Sequence, residues 1–448
     1  MLFSIETYKA RRQEVFSQMR ENSVLILVPN PTSVWSNDTD NRYRPNSDVL
    51  YLTGFSEAEA ILLLSKLDQE NSLLGVLPRN PERETWTGKL FGPEAAKNQF
   101  GIDMTFPITE LSTKIEELLK KSLTVYYRFG TNPEKDNLFI GAFKNAIAGI
   151  QRGFLGPREI IDPRGIIHEM RLRKTTEEVE IIRRACEISE DAHIVAMKSI
   201  QAGMFEYQIQ AATEGEFLRQ GGLHPAYPTI AASGSNTCIL HYTENTAKLR
   251  EGELFLLDAG TEYGNYCADI TRTYPVDGRF STIQERVYNI VLDAMNKAID
   301  LCKPGNLFIQ VHDIAVEVLT KGLINLKVLD GKLEEMIKEE KFKPFFMHRT
   351  SHWLGLDTHD VGQYTRGQTL SNNGGKLKVT SIELEPGMIL TVEPGLYFQP
   401  QIKEVPTELR GIGIRIEDDI LITRDGHMNL TDKVPKKPRE IEALMSAG

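Results

Sequence analysis

The chain has 448 residues, of which 41% are hydrophobic and 25% are charged, and its formal net charge at pH 7 is −10. This length favours two domains over one core, the composition is typical of a soluble globular protein, and the acidic balance disfavours a nucleic-acid partner. The four cysteines form no CxxC pair and no apolar run approaches the roughly 18 residues of a membrane span, so we expect a cytoplasmic protein without a disulfide framework or zinc knuckle.

The first third of the chain alternates two kinds of segment. Short apolar runs that end in turn residues predict strands, and segments with helical spacing separate them. The predicted strands are 23–29, 60–65, 72–78 and 123–130, and the predicted helices are 111–121 and roughly 134–150. This alternation predicts an α/β domain over residues 1–165.

The segment GPREIIDPRG closes this first part and has the Gly and Pro content of a linker. Soon after it, Thr175 and Glu178 have the spacing of a capping box, which predicts the start of a long helix. Helices predicted at 175–200, 206–220, 282–302 and 308–322 then alternate with paired strands. Strands that follow strands, with helices in blocks, indicate an α+β domain over 166–448 built on a curved antiparallel sheet.

The stretch LFLLDAGTEYGNYCADITRTY predicts a β-hairpin that carries two aspartates. If its turn centres on Tyr263 and Gly264, Asp258 stands directly opposite Asp269 on one face, with Cβ atoms about 5 Å apart. Two like charges at that distance destabilise a sheet unless they share a proton or a cation. The hairpin alone leaves two interpretations open, a cation site or one aspartate that faces solvent.

Three further stretches favour the cation site. MHRTSHWLGLDTHD places His348, His352 and His359 close together, TVEPGLY places Glu393 in an apolar strand, and RIEDD places Glu417 in an alternating one. Oxygen-rich sites with one histidine suit hard divalent ions such as Mn²⁺, and this many carboxylates suits two ions about 3.5–4 Å apart that share a hydroxide. Such a pair favours hydrolysis at a carbonyl or phosphoryl centre. The candidate metal ligands are Asp258, Asp269, His352, Glu393 and Glu417.

At these residues the sequence resembles the aminopeptidase P (Xaa-Pro aminopeptidase) family of pita-bread metallopeptidases. The matching stretches follow the family's order from about residue 40 to 423: YRPNSDVLYLTGF, HEMRLRKTTEE, ILHYTEN, LLDAGTEYGNYCADITRTYPV, SHWLGLDTHDVG, ILTVEPGLY and RGIGIRIEDDI. The resemblance implies a pita-bread catalytic domain after a creatinase-like N-terminal domain.

The resemblance also implies roles for single residues. Asp258 would bind one metal ion, Asp269 and Glu417 would bridge the two ions, and His352 and Glu393 would complete the coordination of the second ion. Other matching positions suggest catalytic or substrate-binding roles; these are His241, His348, His359 and Arg415 near the metals, Asp38 and Trp86 in the N-terminal domain, and Arg366 as a candidate only. Arg366 lies in a segment, 365–387, that looks like an insertion and whose role stays open.

The implied reaction is hydrolysis of the bond between an N-terminal residue and a following proline, by a hydroxide that bridges two Mn²⁺ ions. The family resemblance further implies a homo-dimer or homo-tetramer in which Trp86 reaches a neighbouring active site. Two alternatives remain, a prolidase that accepts only Xaa-Pro dipeptides and a metal-free pita-bread binding module. Retention of all five ligand positions argues against the binding module.

Overall fold

The computed structural model describes residues 2–369 and 377–446, and the chain divides into two compact units, Met1–Glu169 and Met170–Gly448. The helices follow the segments with helical spacing. They are α1 (Ile5–Gln18), α2 (Ser47–Thr53), α3 (Pro81–Thr87), α4 (Gly92–Phe100), α5 (Leu111–Leu119), α6 (Pro133–Ala148), α7 (Arg164–Leu172), α8 (Thr176–Ser199), α9 (Glu206–Arg219), α10 (Thr282–Asp300), α11 (Phe308–Asn325), α12 (Leu333–Lys338) and α13 (Pro438–Ser446). In the part of the chain that the structure describes, no helix is long and apolar enough to cross a membrane.

The first unit is built on one mixed sheet. Its strands are β1 (Ser23–Leu27), β4 (Ile61–Lys66), β5 (Glu70–Val76), β6 (Met104–Pro107), β7 (Thr124–Tyr126) and β8 (Glu159–Ile161), beside a small ribbon of β2 (Val34–Ser36) and β3 (Thr39–Asp40). The sheet order is β6-β5-β4-β1-β7-β8, with β1 antiparallel to β4 and parallel to β7. Apolar residues of these strands pack against α5 and α6 in one core, as expected for an α/β unit.

The second unit pairs its strands in antiparallel fashion throughout the described residues. They are β9 (His224–Pro225), β10 (Ile230–Ser233), β11 (Leu254–Asp258), β12 (Thr261–Tyr263), β13 (Tyr266–Cys267), β14 (Thr271–Pro275), β15 (Thr365–Thr369), β16 (Leu377–Ser381), β17 (Ile389–Val392), β18 (Gly395–Tyr397), β19 (Gly413–Arg415), β20 (Asp418–Ile422) and β21 (His427–Asn429). The sheets β10-β11-β14 and β17-β20-β21 come from distant parts of the chain. An isolated antiparallel bridge between Thr271 on β14 and Glu417, directly before β20, connects the two sheets.

The helix α8 begins where its sequence predicts. Thr175 accepts a hydrogen bond from the backbone N–H of Glu178, whose side chain accepts one from the backbone of Thr175 in return. This capping box satisfies two N–H groups that the first turn leaves unpaired. The buried face of α8 joins the main core of the second unit, together with α10, α11 and the strands.

The predicted register of the aspartate hairpin is wrong by two residues. Tyr263 pairs with Tyr266, and Asp258 stands opposite Thr271 instead of Asp269. The turn centres on Gly264 and Asn265, whose φ angles are 57° and 68°. Tight hairpin turns of this type need positive φ at both central residues, which glycine and asparagine adopt more easily than tyrosine. Because the shift is an even number of residues, both aspartates still lie on the same face.

The segment that looks like an insertion contains the two-stranded hairpin of β15 and β16. Its residues 370–376 lie outside the described residues.

Candidate metal centre

The candidate ligands lie where strands end in the second unit. Asp258 is the last residue of β11, Asp269 precedes β14, and Glu417 lies between β19 and β20. Glu393 follows β17, and its backbone N–H donates to the carbonyl of Thr350 at 2.8 Å. Strand ends from four segments therefore converge, with the segment that follows Thr350 contributing His352.

One ligand atom from each of Asp269, His352 and Glu417 lies within 4.8 Å of the other two. Nε2 of His352 is 3.4 Å from Oδ2 of Asp269 and 3.9 Å from Oε1 of Glu393. Nδ1 of His352 lies 3.0 Å from the carbonyl oxygen of Trp353, which can only accept a hydrogen bond. Nδ1 therefore carries a proton, and Nε2 is the ring atom that faces the carboxylates and would bind a metal ion.

The electrostatics of this cluster call for a cation. Burial raises the pKa of the Asp258, Glu393 and Glu417 carboxyl groups, and repulsion from Asp269 adds to it, so that Glu393 reaches a pKa of about 7. Burial alone lowers the pKa of His352, but the hydrogen bond to Asp269 and its charge raise it to about 9. Carboxylates this close repel one another when they are all ionised, and bound divalent cations compensate for that repulsion. An oxygen-rich donor set with one imidazole fits such ions.

A buried arginine fixes the orientation of Asp258. Nη2 of Arg415 donates to Oδ2 of Asp258 at 2.7 Å, and the hydroxyl of Tyr227 donates to Oδ1 at 2.6 Å. Nη1 of Arg415 donates to the hydroxyl of Tyr397 at 3.0 Å, and its Nε donates to Oγ1 of Thr271 at 3.2 Å. Each oxygen of Asp258 thus has its own donor, so the carboxylate plane cannot rotate freely.

Comparisons with known proteins agree on one family. The family model of metallopeptidase family M24 matches residues 180–424, and that of the aminopeptidase P N-terminal domain matches residues 8–126. The chain is 43% identical to the Xaa-Pro aminopeptidase of Escherichia coli K12, over 99% of this chain and 98% of that protein. The chain belongs to the aminopeptidase P family.

Solved structures of the aminopeptidase P family have the same fold. The proline aminopeptidase P II of Yersinia pestis matches with a TM-score of 0.93 at 43% identity, over 100% of both chains. Zinc-substituted Escherichia coli aminopeptidase P in complex with product matches with a TM-score of 0.93 at 42% identity, over 99% of both chains. The predicted pita-bread fold with a preceding α/β domain is confirmed.

Two histidines lie close to the candidate metal ligands. Nε2 of His348 lies 2.8 Å from the hydroxyl of Tyr397, and its Nδ1 donates to the carbonyl of Arg349 at 2.8 Å, so Tyr397 donates to His348. Burial, with the charge of Arg415, lowers the pKa of His348 to about 3 and keeps its ring neutral. The ring of His359 meets that of His352 edge-on at 4.3 Å between centroids.

The segment that carries His241 is held in place by a buried carboxylate. Oε1 of Glu206 accepts from the N–H and hydroxyl of Ser233 and from Asn236, and Oε2 accepts from the hydroxyl of Tyr242 and the N–H of Ala247. His241 is exposed; burial is the main cause of the lowered pKa of His348 and His359, and the proximity of His241 lowers both slightly further. His241 therefore belongs to the same electrostatic environment as the other histidines.

Several residues of this centre are missing from the sequence-based candidates. Four of them are hydrogen-bond partners of the candidate ligands, and the fifth, Tyr397, bonds to Arg415 and His348; the four are Tyr227, Thr271, Thr391 and Asp419. Asp419 alone had a signal in the sequence, because it shares the polar face of the strand after Arg415 with Glu417.

The remaining predicted site residues are Arg366, Asp38 and Trp86. Arg366 is more than half exposed on β15 and is 3.7 Å from the carboxylate of Glu385. Asp38 is exposed between β2 and β3, and Trp86 on α3 is 89% exposed; both belong to the first unit. Their proposed contacts with substrate stay predictions.

Proposed function

We propose that the protein is a dinuclear-metal Xaa-Pro aminopeptidase, which releases the N-terminal residue from peptides whose second residue is proline. The observation that carries this proposal is the buried convergence of Asp269, His352 and Glu417, with Asp258 and Glu393 alongside. The proposal is supported by relatives named Xaa-Pro aminopeptidase that align over almost the whole chain.

We assign the five candidate ligands to two divalent ions, with Asp269 and Glu417 between them. Such a pair lowers the pKa of a shared water, so that a nucleophile exists near neutral pH. The donor set favours Mn²⁺ because hard oxygen donors outnumber the single imidazole. The resemblance to family members further supports a homo-oligomeric, cytoplasmic enzyme with an N-terminal domain over 1–165 and a catalytic domain over 166–448.

The protein groups around the ligands fit the needs of an Xaa-Pro bond. The amide nitrogen of proline carries no hydrogen, so it must gain a proton to leave as a secondary amine. As a carboxylate among the candidate ligands, Glu393 would carry a proton from the attacking water to that nitrogen. We assign His359, whose ring meets that of His352, and His241 as donors for the developing oxyanion and the proline side of the substrate.

Mass spectrometry of peptide digests tests the proposal. A tripeptide Xaa-Pro-Yaa, its Xaa-Ala-Yaa counterpart and the dipeptide Xaa-Pro are incubated side by side with Mn²⁺-loaded protein. Release of the first residue from the proline tripeptide alone, or from it far faster than from the others, is the expected result. Cleavage of the dipeptide alone would identify a prolidase, and cleavage of none would favour the metal-free binding module.

A further inference from the structure

Two residues that face each other across neighbouring strands contact the backbone of two different metal ligands. Thr391 on β17 pairs with Asp419 on β20. Both residues are fully buried, and neither is among the proposed ligands. Each lies two residues along the chain from a proposed ligand, Thr391 from Glu393 and Asp419 from Glu417.

Asp419 contacts the peptide group of Asp269. Its Oδ2 accepts a hydrogen bond from the backbone N–H of Asp269 at 3.0 Å, and the thiol of Cys186 on α8 donates to the same oxygen at 3.5 Å. The backbone N–H of Asp419 is itself bonded to Oγ1 of Thr431 at 3.1 Å. The carboxylate that contacts Asp269 is thus attached to a strand whose own position is set by further bonds.

Thr391 contacts the backbone of His352 twice. Its Oγ1 accepts from the N–H of His352 at 3.2 Å, and its own N–H donates to the carbonyl of His352 at 2.9 Å. Since this N–H points away from β20, Thr391 and Asp419 form a non-hydrogen-bonded cross-strand pair, in which side chains lie closest together. Two adjacent side chains therefore serve two ligands that are 83 residues apart in the sequence, at positions 269 and 352.

We propose that the cross-strand pair Thr391–Asp419 positions the metal centre, with Asp419 acting on Asp269 and Thr391 on His352. The pair touches neither substrate nor reacting atoms, so both are positioning residues. This inference rests on the proposed function, because it assumes that Asp269 and His352 bind metal. Ligand geometry depends on such supporting hydrogen bonds, and their loss typically weakens metal affinity about 10–100-fold.

Isothermal titration of chelator-treated protein with Mn²⁺ tests the pair without reference to catalysis. Asp419→Ala and Thr391→Val remove the accepting oxygens, and we expect each to weaken Mn²⁺ binding by about tenfold or more. Asp419→Asn and Thr391→Ser keep an oxygen acceptor and should restore most of the affinity. The matched control is Asp418→Asn, a fully buried neighbour whose carboxylate bonds to Arg272, at 2.6 Å, instead of to a ligand. It should lower the stability of the fold and leave Mn²⁺ affinity near the wild-type value.

Two results would overturn the inference. If Thr391→Val and Asp419→Ala bind Mn²⁺ as tightly as the wild type, the pair does not position the ligands; should Asp419→Ala fail to fold, Thr391→Val decides alone. If Asp418→Asn weakens binding as much as Asp419→Ala does, the effect is one of general stability. Failure of the wild-type protein to bind Mn²⁺ would contradict the proposed function, and this inference with it.

Discussion

Nη2 of Arg415 donates to Oδ2 of Asp258 at 2.7 Å, in a buried ion pair that joins β19 to the end of β11. The same guanidinium reaches Tyr397 through its other terminal nitrogen. A proposed metal ligand is thus connected through Arg415 and Tyr397 to His348. Arg415 links the charge of the metal centre to the surrounding histidines.

Replacing Arg415 by lysine tests this link. An ammonium group is a single point donor and cannot bond to Asp258, Tyr397 and Thr271 in the planar geometry of a guanidinium. We expect Arg415→Lys to lower kcat/KM by about tenfold or more, as for other partners of metal ligands. The control is Arg410→Lys, an exposed arginine that bonds to backbone carbonyls of its own loop. Wild-type kcat/KM in Arg415→Lys would rule out the orienting role.

Replacing Glu417 by glutamine separates metal binding from folding. Glutamine has the same shape and can still accept the 2.6 Å hydrogen bond from Thr271, but it removes one charge from a repulsive cluster. We therefore expect Glu417→Gln to abolish activity, while the free energy of unfolding in chelator stays equal or rises. Asp269→Asn should behave alike, and exposed Glu408→Gln serves as the control. Retention of even a tenth of the wild-type rate would contradict a bridging role.

Removing the metals should lower thermal stability in the wild type only. A ligand that binds the folded state at 100 times its Kd adds about 2.7 kcal/mol to the free energy of unfolding. The melting temperature of the wild type should therefore fall in chelator and recover with Mn²⁺. In Asp269→Asn, which lacks a proposed ligand, Mn²⁺ should change the melting temperature much less. Equal shifts in both proteins would place the binding elsewhere.

The pH dependence of stability should report a buried histidine. His193 donates from Nε2 to the carbonyl of Ala259 at 2.9 Å and accepts at Nδ1 from Tyr274 at 3.0 Å, and burial lowers its pKa to about 3. Between pH 6.5 and 3 the unfolded chain binds a proton at His193 that the folded chain does not bind. The part of the free energy of unfolding that depends on neutral His193 is therefore fully present above pH 6.5 and is lost as the pH falls. By pH 5 the stability lost in this way amounts to about 2 kcal/mol.

Urea unfolding of the wild type and His193→Gln in chelator, at pH 7 and pH 5, measures that contribution. Glutamine does not titrate, so the variant should lose less stability between the two pH values, by about 2 kcal/mol. Other buried histidines, such as His348, are present in both proteins and cancel in the comparison. An identical loss in both would show that His193 is not kept neutral by the fold.

The candidate metal ligands could be chosen from the sequence because their signal is local. Burying a carboxylate in an apolar strand costs free energy unless a partner is present, so Asp258 and Glu393 can be recognised in the sequence as candidate site residues. The helix α8 is equally local, because Thr175 and Glu178 lie three residues apart and form their own cap.

The partners of the ligands could not be predicted in the same way. Tyr227, between β9 and β10, and Tyr397, at the end of β18, are ordinary tyrosines in the sequence. They become donor and acceptor only when distant segments bring Asp258 and Arg415 beside them. The hairpin register failed for a different reason. The turn was placed one residue too early, and the positive φ of Asn265 shows which pair of residues the turn needs.

The most direct test of the proposed dinuclear mechanism measures bound metal ions and peptide cleavage in the same titration. The protein is dialysed against chelator, Mn²⁺ is added back in steps, and bound metal per chain is measured beside release of the first residue from Xaa-Pro-Yaa. The account predicts no cleavage without metal and full cleavage as about two ions bind per chain. Undiminished cleavage after complete removal of metal would contradict it.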